Sequence, residues 1–155
     1  MTSVVRTHSI LVRAPLPDVF DYVSDLTRHP EWSDGELKIE ERTPGPIAVG
    51  KEYLSRGEVV GQKERPNTVR ITVHQPPHRF GFTAKDPSAG EVLHVFTFTE
   101  QEHGVLIERE MTLSLNPIVA LIFGFLVYPW VGRPAMDKSL ALLKAKLEGA
   151  PKATG

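Results

Sequence analysis

The stretch of residues 116–149 constrains this chain most, because it predicts one C-terminal helical segment with two very different halves. Residues 118–131 (IVALIFGFLVYPWV) carry no charge, whereas residues 133–148 (RPAMDKSLALLKAKLE) show an ordinary amphipathic helical pattern. Asn116 followed by Pro117 is a favourable helix start, since the first offers a capping oxygen and the second needs no hydrogen-bond acceptor. The second half therefore has a polar surface, and the first half has none.

The amphipathic half predicts a helix that packs on the rest of the protein with one side. Its apolar residues recur at helical spacing: Met136, Leu140, Leu143 and Leu147. Between the two halves, Pro129 and Pro134 each remove a backbone donor. We therefore expect a kink or break near residues 128–133.

The apolar half admits several interpretations. It is shorter than the roughly 20 residues that a bilayer-spanning helix needs, which argues against a transmembrane helix. Burial against a sheet is the ordinary interpretation. A sharper one makes this half the lid or wall of a cavity for an apolar ligand. An interfacial contact with a membrane through residues 118–131 is a further alternative.

Composition excludes several classes of protein. With 155 residues the chain suits one domain, which we place at residues 1–149, followed by a disordered tail at 150–155. The net charge of −1 argues against binding to nucleic acid. The absence of cysteine excludes disulfides, thiolate metal sites and thiol nucleophiles. The N-terminus resembles no secretory signal, so we expect a cytoplasmic protein.

The rest of the chain alternates strand and turn signals. Residues 4–13 predict a first strand, 16–26 an amphipathic helix and 27–32 a second short helix. Six further strands are predicted at residues 36–42, 52–60, 68–75, 79–85, 91–101 and 105–115. Runs of strands with segregated helices indicate an α+β fold with an antiparallel sheet.

Two hairpins predict one apolar face of that sheet. A turn centred on His103 and Gly104 pairs Phe98 with Arg109, Phe96 with Met111 and His94 with Leu113. In the other hairpin, a loop of residues 75–78 pairs Val73 with Phe80, Ile71 with Phe82 and Val69 with Ala84. Both registers bring the apolar side chains to the same face, which the C-terminal helix must cover.

Arg109 and His94 are the polar exceptions on this face. A guanidinium among apolar side chains is costly to bury without a partner. One interpretation is that Arg109 reaches water at a sheet end or pairs with a core carboxylate; the other is that it anchors a ligand in an apolar pocket. His94 is either a core histidine with its hydrogen bonds satisfied or a ligand contact. The predicted register keeps the two residues apart.

Residues 14–35, APLPDVFDYVSDLTRHPEWSDG, carry a resemblance to a known family. The chain resembles the START-like helix-grip superfamily, also called SRPBCC, and within it the polyketide cyclase/dehydrase-like and coenzyme-Q-binding-like branch. The matching positions are Ala14, Pro15, Val19, Phe20, Val23, Ser24, Asp25, Pro30 and Trp32. Val49-Gly50, Pro76-Pro77, Gly104 and the closing helix are also similar, so the resemblance covers nearly the whole chain.

The resemblance implies a seven-stranded curved antiparallel sheet wrapped on a long C-terminal helix, with two short helices between strands 1 and 2. Members of the superfamily bind lipids, sterols, hormones, polyketides or quinones between the sheet and the helix, and only some are enzymes. Fold therefore does not decide activity. The resemblance supplies no shared catalytic residues.

No motif for a cofactor or a metal stands out. The sequence lacks a P-loop, a dinucleotide fingerprint, a nucleophile elbow and an HExxH motif, and its six histidines fall on different elements. We predict no cofactor and no metal. For a cyclase or dehydratase, His94 is the candidate general base and Arg109 the candidate donor to an enolate oxygen.

We therefore predict that the protein binds a small hydrophobic or amphipathic molecule, such as a lipid, an isoprenoid or a polyketide, between the sheet and the C-terminal helix. The alternatives are a cyclase/dehydratase-type enzyme and a membrane- or protein-interaction module that uses residues 118–131; the oligomeric state stays open. The predicted ligand-binding residues are Arg109, His94, Phe96, Phe98, Met111, Phe82, Tyr53, Trp32, Ile122, Phe125 and Leu126.

Overall fold

Seven antiparallel strands form one open sheet in the order β1-β7-β6-β5-β4-β3-β2. The computed structural model describes residues 2–33, 36–59, 62–86 and 90–149. The strands are β1 (Thr2–Val12), β2 (Leu37–Glu41), β3 (Glu52–Val59), β4 (Gln62–Gln75), β5 (Arg79–Asp86), β6 (Gly90–Gln101) and β7 (Gly104–Leu115). This arrangement confirms the predicted α+β helix-grip fold. The predicted tail at 150–155 lies outside the described residues.

Two short helices connect β1 to β2, as predicted. Helix α1 (Leu16–Ser24) buries Val19, Phe20 and Val23, which lie on one side of it. A 3₁₀ helix (Leu26–Glu31) follows, and the Asp25 carboxylate caps it by accepting a hydrogen bond from the Thr27 backbone N–H. These helices cover the apolar face of the sheet.

Strand β4 begins six residues earlier than the predicted start at residue 68. It includes Pro66, although proline cannot donate a hydrogen bond to a sheet. In the structure Pro66 pairs with Arg56 of β3, whereas the β5 register begins only at Thr68. Proline is tolerated there because this part of β4 has a strand on one side only.

The β6–β7 hairpin has a different register from the predicted one. Phe96 is opposite Arg109 and His94 is opposite Met111, so each predicted pair is displaced by two residues. The turn is centred on Glu102 and His103, and Gly104 already belongs to β7. At Gly104 (φ 152°) an added Cβ would collide with the Val12 carbonyl of β1, so glycine is required there.

A shift of two residues leaves every side chain on its predicted face. The buried residues of β7 alternate as expected: Val105, Ile107, Arg109, Met111 and Leu113. In the β4–β5 hairpin, the predicted pairs Ile71–Phe82 and Val69–Ala84 are confirmed. The predicted Val73–Phe80 pair is wrong, because an irregularity between Ile71 and Val73 places Val73 opposite Gly81.

The C-terminal helix runs without interruption from Pro117 to Gly149. It consists of α2 (Pro117–Ile122), a π-helical segment (Phe123–Gly132) and α3 (Arg133–Gly149). The helix is therefore not broken where a kink or break was predicted, and Pro129 lies inside the π-helical segment. The Arg133 backbone N–H donates to the Tyr128 carbonyl five residues earlier.

The two halves of this helix differ in burial. Leu140 and Leu143 of α3 are buried in the main core, and Met136 and Leu147 are half-buried, which confirms the predicted amphipathic face. The ordinary interpretation predicted that the apolar half is buried against the sheet, but most of it is exposed. Eight of its large side chains are 48–78% exposed: Ile118, Val119, Leu121, Ile122, Phe125, Leu126, Trp130 and Val131.

This asymmetry predicts different costs for one substitution at two positions of the helix. Leu143→Ala empties a fully buried site and should lower the free energy of unfolding by about 2–5 kcal/mol. Leu121→Ala, the matched control at a side chain that is 61% exposed, should change it by less than about 0.5 kcal/mol. Urea unfolding of the detergent-free protein measures both. Equal losses would show that the apolar half is buried after all.

Candidate functional site

Arg109 lies in the middle of β7 and points into the aromatic core, on the inner face that strand alternation predicted. It is only 4% exposed. Its guanidinium carbon lies 5.2 Å from the ring centre of Phe96, its neighbour across the strand pair, and 5.8 Å from that of Trp32. These distances allow cation–π attraction, but aromatic rings do not neutralise the charge.

His94 meets Arg109 directly, which corrects the predicted separation of the two residues. The Arg109 Nη2 donates to His94 Nδ1 at 3.2 Å. The observed register makes them diagonal neighbours on adjacent strands, close enough for two long side chains to touch. Since Nδ1 accepts this bond, the neutral imidazole carries its hydrogen on Nε2.

Burial keeps His94 uncharged. Desolvation is the largest cause that lowers its pKa well below the usual value, and the positive charge of Arg109 and the neighbouring His29 act in the same direction. Burial also lowers the pKa of Arg109, to about 10, so the guanidinium is still charged at neutral pH. The pair therefore consists of one cation and one neutral hydrogen-bonding ring.

His29 and Trp32 complete the cluster from the 3₁₀ helix and its C-cap. Their rings stack at 4.1 Å with an angle of 17°, and Trp32 meets Phe96 edge to face at 6.1 Å. Desolvation, followed by the charge of Arg109, lowers the pKa of His29 to about 3. The sequence analysis missed His29, although side chains three residues apart overlap in a 3₁₀ helix.

Among the described residues, two buried donors in this cluster have no acceptor: Nε of Arg109 and Nε1 of Trp32. Within the described part of the chain, no carboxylate pairs with Arg109 either. A buried donor without a partner costs about 1–3 kcal/mol, and more when it is charged. A group with an oxygen acceptor from outside the described residues would therefore stabilise both donors.

Phe82 and Phe98 extend the apolar surroundings of this cluster. The Phe82 ring stacks on His94 at 4.9 Å, and Phe98 stacks parallel to Phe96 at 6.4 Å. With Arg109, His94, Phe96 and Trp32, six of the predicted ligand-binding residues are thus brought together.

The other predicted residues lie elsewhere. Met111 is opposite His94 but packs in a second apolar cluster with Leu113 and Tyr128. Tyr53 is buried on β3, where Lys51 lies 5.6 Å from its ring centre. Ile122, Phe125 and Leu126 are wrong as cavity-lining residues, because they are 48%, 72% and 63% exposed on the outer side of the helix.

A second polar cluster joins the C-terminal helix to β1, and the sequence analysis missed it. Asp137 Oδ1 lies 2.9 Å from His8 Nδ1, and the Tyr128 hydroxyl forms a short hydrogen bond with His8 Nε2. Arg6 lies over the Tyr128 ring at 4.9 Å. These residues line an open pocket of about 440 Å³ together with Arg133. Sequence spacing predicts contacts only between nearby residues, and Tyr128 and Asp137 are more than a hundred positions away from His8.

A larger groove of about 990 Å³ separates α1 from the end of α3. Its charged lining mixes both signs: Arg13, Asp18, Asp21, Asp25, Arg28, Glu31, Lys146 and Glu148. Neither this groove nor the pocket at His8 includes Arg109 or His94 among its lining residues. In the described ranges, no three histidine or carboxylate side chains are grouped as a metal site.

Comparisons with known proteins identify the family. The profile of the family described as "Polyketide cyclase / dehydrase and lipid transport" matches residues 1–148, so the chain belongs to this family. No curated protein matches the sequence significantly.

Solved structures share the fold at low sequence identity. The protein Ms6760 from Mycobacterium smegmatis aligns with a TM-score of 0.68 and 15% identity over 94% of this chain and 91% of that one. The di-domain ARO/CYC BexL of the BE-7585A biosynthetic pathway aligns with a TM-score of 0.72 and 19% identity. That match covers 96% of this chain but 51% of BexL, so the chain spans about half of the di-domain protein.

Acid should destabilise the protein through its buried histidines. Because the pKa values of His94 and His29 are lowered on folding, the unfolded chain binds more protons below its own histidine pKa of about 6.5. The free energy of unfolding is therefore highest above that pH. As the pH drops below about 6.5, this free energy should decrease by at most about 1.4 kcal/mol per pH unit for each histidine. The partly exposed His29 should contribute less than His94.

Urea unfolding between pH 7 and pH 4.5 measures this dependence. His94→Gln should make the curve shallower, because the side chain no longer gains a proton on unfolding. His103→Gln removes an exposed imidazole at the β6–β7 turn and is the matched control. Identical curves for His94→Gln and the unaltered protein would contradict the assignment.

Proposed function

We propose that the protein binds a small, mostly apolar or aromatic molecule through an oxygen-bearing polar group, and that Arg109 is the residue that recognises this group. The observation that carries the proposal is the buried guanidinium with an unpaired Nε–H and no carboxylate partner in the described residues. Hydrogen bonds to charged groups are among the strongest in proteins, so an acceptor here gains more than in water.

The neighbouring groups narrow the chemistry of the ligand. The indole N–H of Trp32 is a second unpaired donor, and neutral His94 adds no positive charge. One cation beside neutral donors suits a carboxylate, an enolate or a polarised carbonyl better than a dianionic phosphate. The rings of Phe82 and Phe96 beside Arg109 are buried, so a ligand contacts their flat apolar faces only when this aromatic cluster opens. Lipids, isoprenoids and polyketides with such an oxygen group all satisfy these requirements.

Replacing Arg109 by methionine should separate binding from stability. Arg109→Met removes a buried charge at similar volume and should not lower the free energy of unfolding, because an uncompensated buried charge is costly. The same change should weaken binding of 2-naphthoic acid about 10- to 100-fold, because a hydrogen bond to a charged group contributes about 1.5–3 kcal/mol. The substitution should weaken binding of methyl 2-naphthoate, which carries no charge, much less.

Fluorescence titration measures the affinities, and urea unfolding measures the stability. Arg79→Met, at an exposed arginine of β5, is the matched control and should change neither quantity. If Arg109→Met lowers stability and leaves the preference for the acid over its ester intact, Arg109 is a structural residue and the proposal fails.

A second candidate function is catalysis of cyclisation or dehydration, which the contact between His94 and Arg109 favours. In that reaction Arg109 turns from His94 to the enolate oxygen, which frees the His94 Nδ1 lone pair to accept a proton from a carbon beside the carbonyl. The lowered pKa of His94 makes it a weak base, so the geometry supports binding more than proton abstraction.

Heptane-2,4,6-trione, which cyclises with loss of one water molecule, can serve as the probe for this activity. Under the enzymatic hypothesis the protein accelerates the cyclisation over buffer, and His94→Ala abolishes the acceleration while affinity for the probe is nearly unchanged. NMR spectroscopy follows both. Equal loss of affinity and acceleration, or no acceleration by the unaltered protein, excludes His94 as the base.

A further inference from the structure

The outer face of the C-terminal helix between residues 118 and 131 is apolar and exposed. Phe125 is 72% exposed and Trp130 is 78% exposed. A helix on the surface of a water-soluble protein normally carries polar residues on its outer side, as the α3 half of this helix does. Patches of this kind mark sites that another molecule covers.

The inner face of the same segment is already used. Ala120 and Tyr128 are buried, and Phe123 packs in the cluster formed by Met111 and Leu113. The hydroxyl of Tyr128 is hydrogen-bonded to His8 of β1. Rotation of the helix to bury its outer side chains would expose this inner face instead. The exposed face is therefore available to an external partner.

We propose that this face docks on a lipid bilayer, with the helix lying in the plane of the membrane surface. By length and composition the helix Pro117–Gly149 could cross a membrane. Its uncharged segment of residues 118–131, however, is about 20 Å long, which is shorter than the roughly 30 Å hydrocarbon core. It continues directly from β7 at one end and into the packed helix α3 at the other. A segment held at both ends by the folded domain enters one leaflet and does not cross.

The chemistry of the face favours lipid over protein. Protein interfaces carry about one hydrogen bond per 100–200 Å². Between Pro117 and Gly132 the only side chains that can form hydrogen bonds are Tyr128, which is turned inward, and Trp130. A face without polar partners matches hydrocarbon, which offers none.

The edge of the face carries the groups that bind at a lipid headgroup layer. Trp130 lies at the end of the apolar segment, and amphipathic indole rings concentrate at membrane interfaces. Arg133 follows directly, with its side chain 69% exposed. Although Asp137 balances part of this charge, the Arg133 guanidinium favours anionic lipids.

Sedimentation with vesicles tests the proposal on the full chain. The protein should sediment with vesicles of phosphatidylcholine and phosphatidylglycerol (7:3), and less with phosphatidylcholine alone. Phe125→Glu should weaken the partitioning at least about tenfold, because a carboxylate is excluded from the hydrocarbon. Leu11→Glu, at an exposed apolar residue of β1 outside the face, is the matched control and should bind as the unaltered protein does.

Tryptophan fluorescence supplies a readout that is independent of sedimentation. Trp32 is buried and Trp130 is exposed, so vesicles should shift the emission of Trp130 to the blue. In the Trp130→Phe variant only Trp32 emits, and vesicles should leave its emission wavelength unchanged. Absence of sedimentation and of a blue shift with anionic vesicles overturns the proposal. The proposal is also overturned if the unaltered protein is a dimer by analytical ultracentrifugation, Phe125→Glu is a monomer, and neither binds to vesicles. A second copy of the chain then covers the face. Neither outcome affects the binding site at Arg109.

Discussion

The unpaired charge of Arg109 is the constraint on which the candidate site depends. Antiparallel pairing of β6 with β7 places this residue on the inner face, opposite Phe96, and α1 and the 3₁₀ helix close that face from above. Because the residue is only 4% exposed, its charge must be compensated inside the protein or tolerated there. The neighbouring His94 responds by staying neutral and accepting a hydrogen bond.

One row of side chains crosses the sheet and connects the two polar clusters. In register order it runs from Phe80 on β5 through Phe96 and Arg109 to His8 on β1. His8 then joins Tyr128 and Asp137 of the C-terminal helix. The helix is thus fixed at the edge strand by polar contacts, and its apolar half is held along that edge with its outer face exposed.

The sequence predicted the fold more fully than the site. Strand alternation and turn residues located all seven strands, since these signals are local. It predicted the inner face correctly at Arg109 even though the β6–β7 register was displaced by two residues, because side-chain direction repeats with that period. The contact between Arg109 and His94 depends on the register itself, so it was missed. His8, Tyr128 and Asp137 meet only through tertiary structure.

Arg109 has no counter-ion among the described residues, and this has a consequence for the protein in a cell. If the occupant of the site supplies the missing acceptor, the empty form is the less stable one and its lifetime depends on the supply of that small molecule. Proteolytic turnover would then remove vacant copies faster than loaded ones. Abundance of the protein would follow metabolite supply without any change in its synthesis.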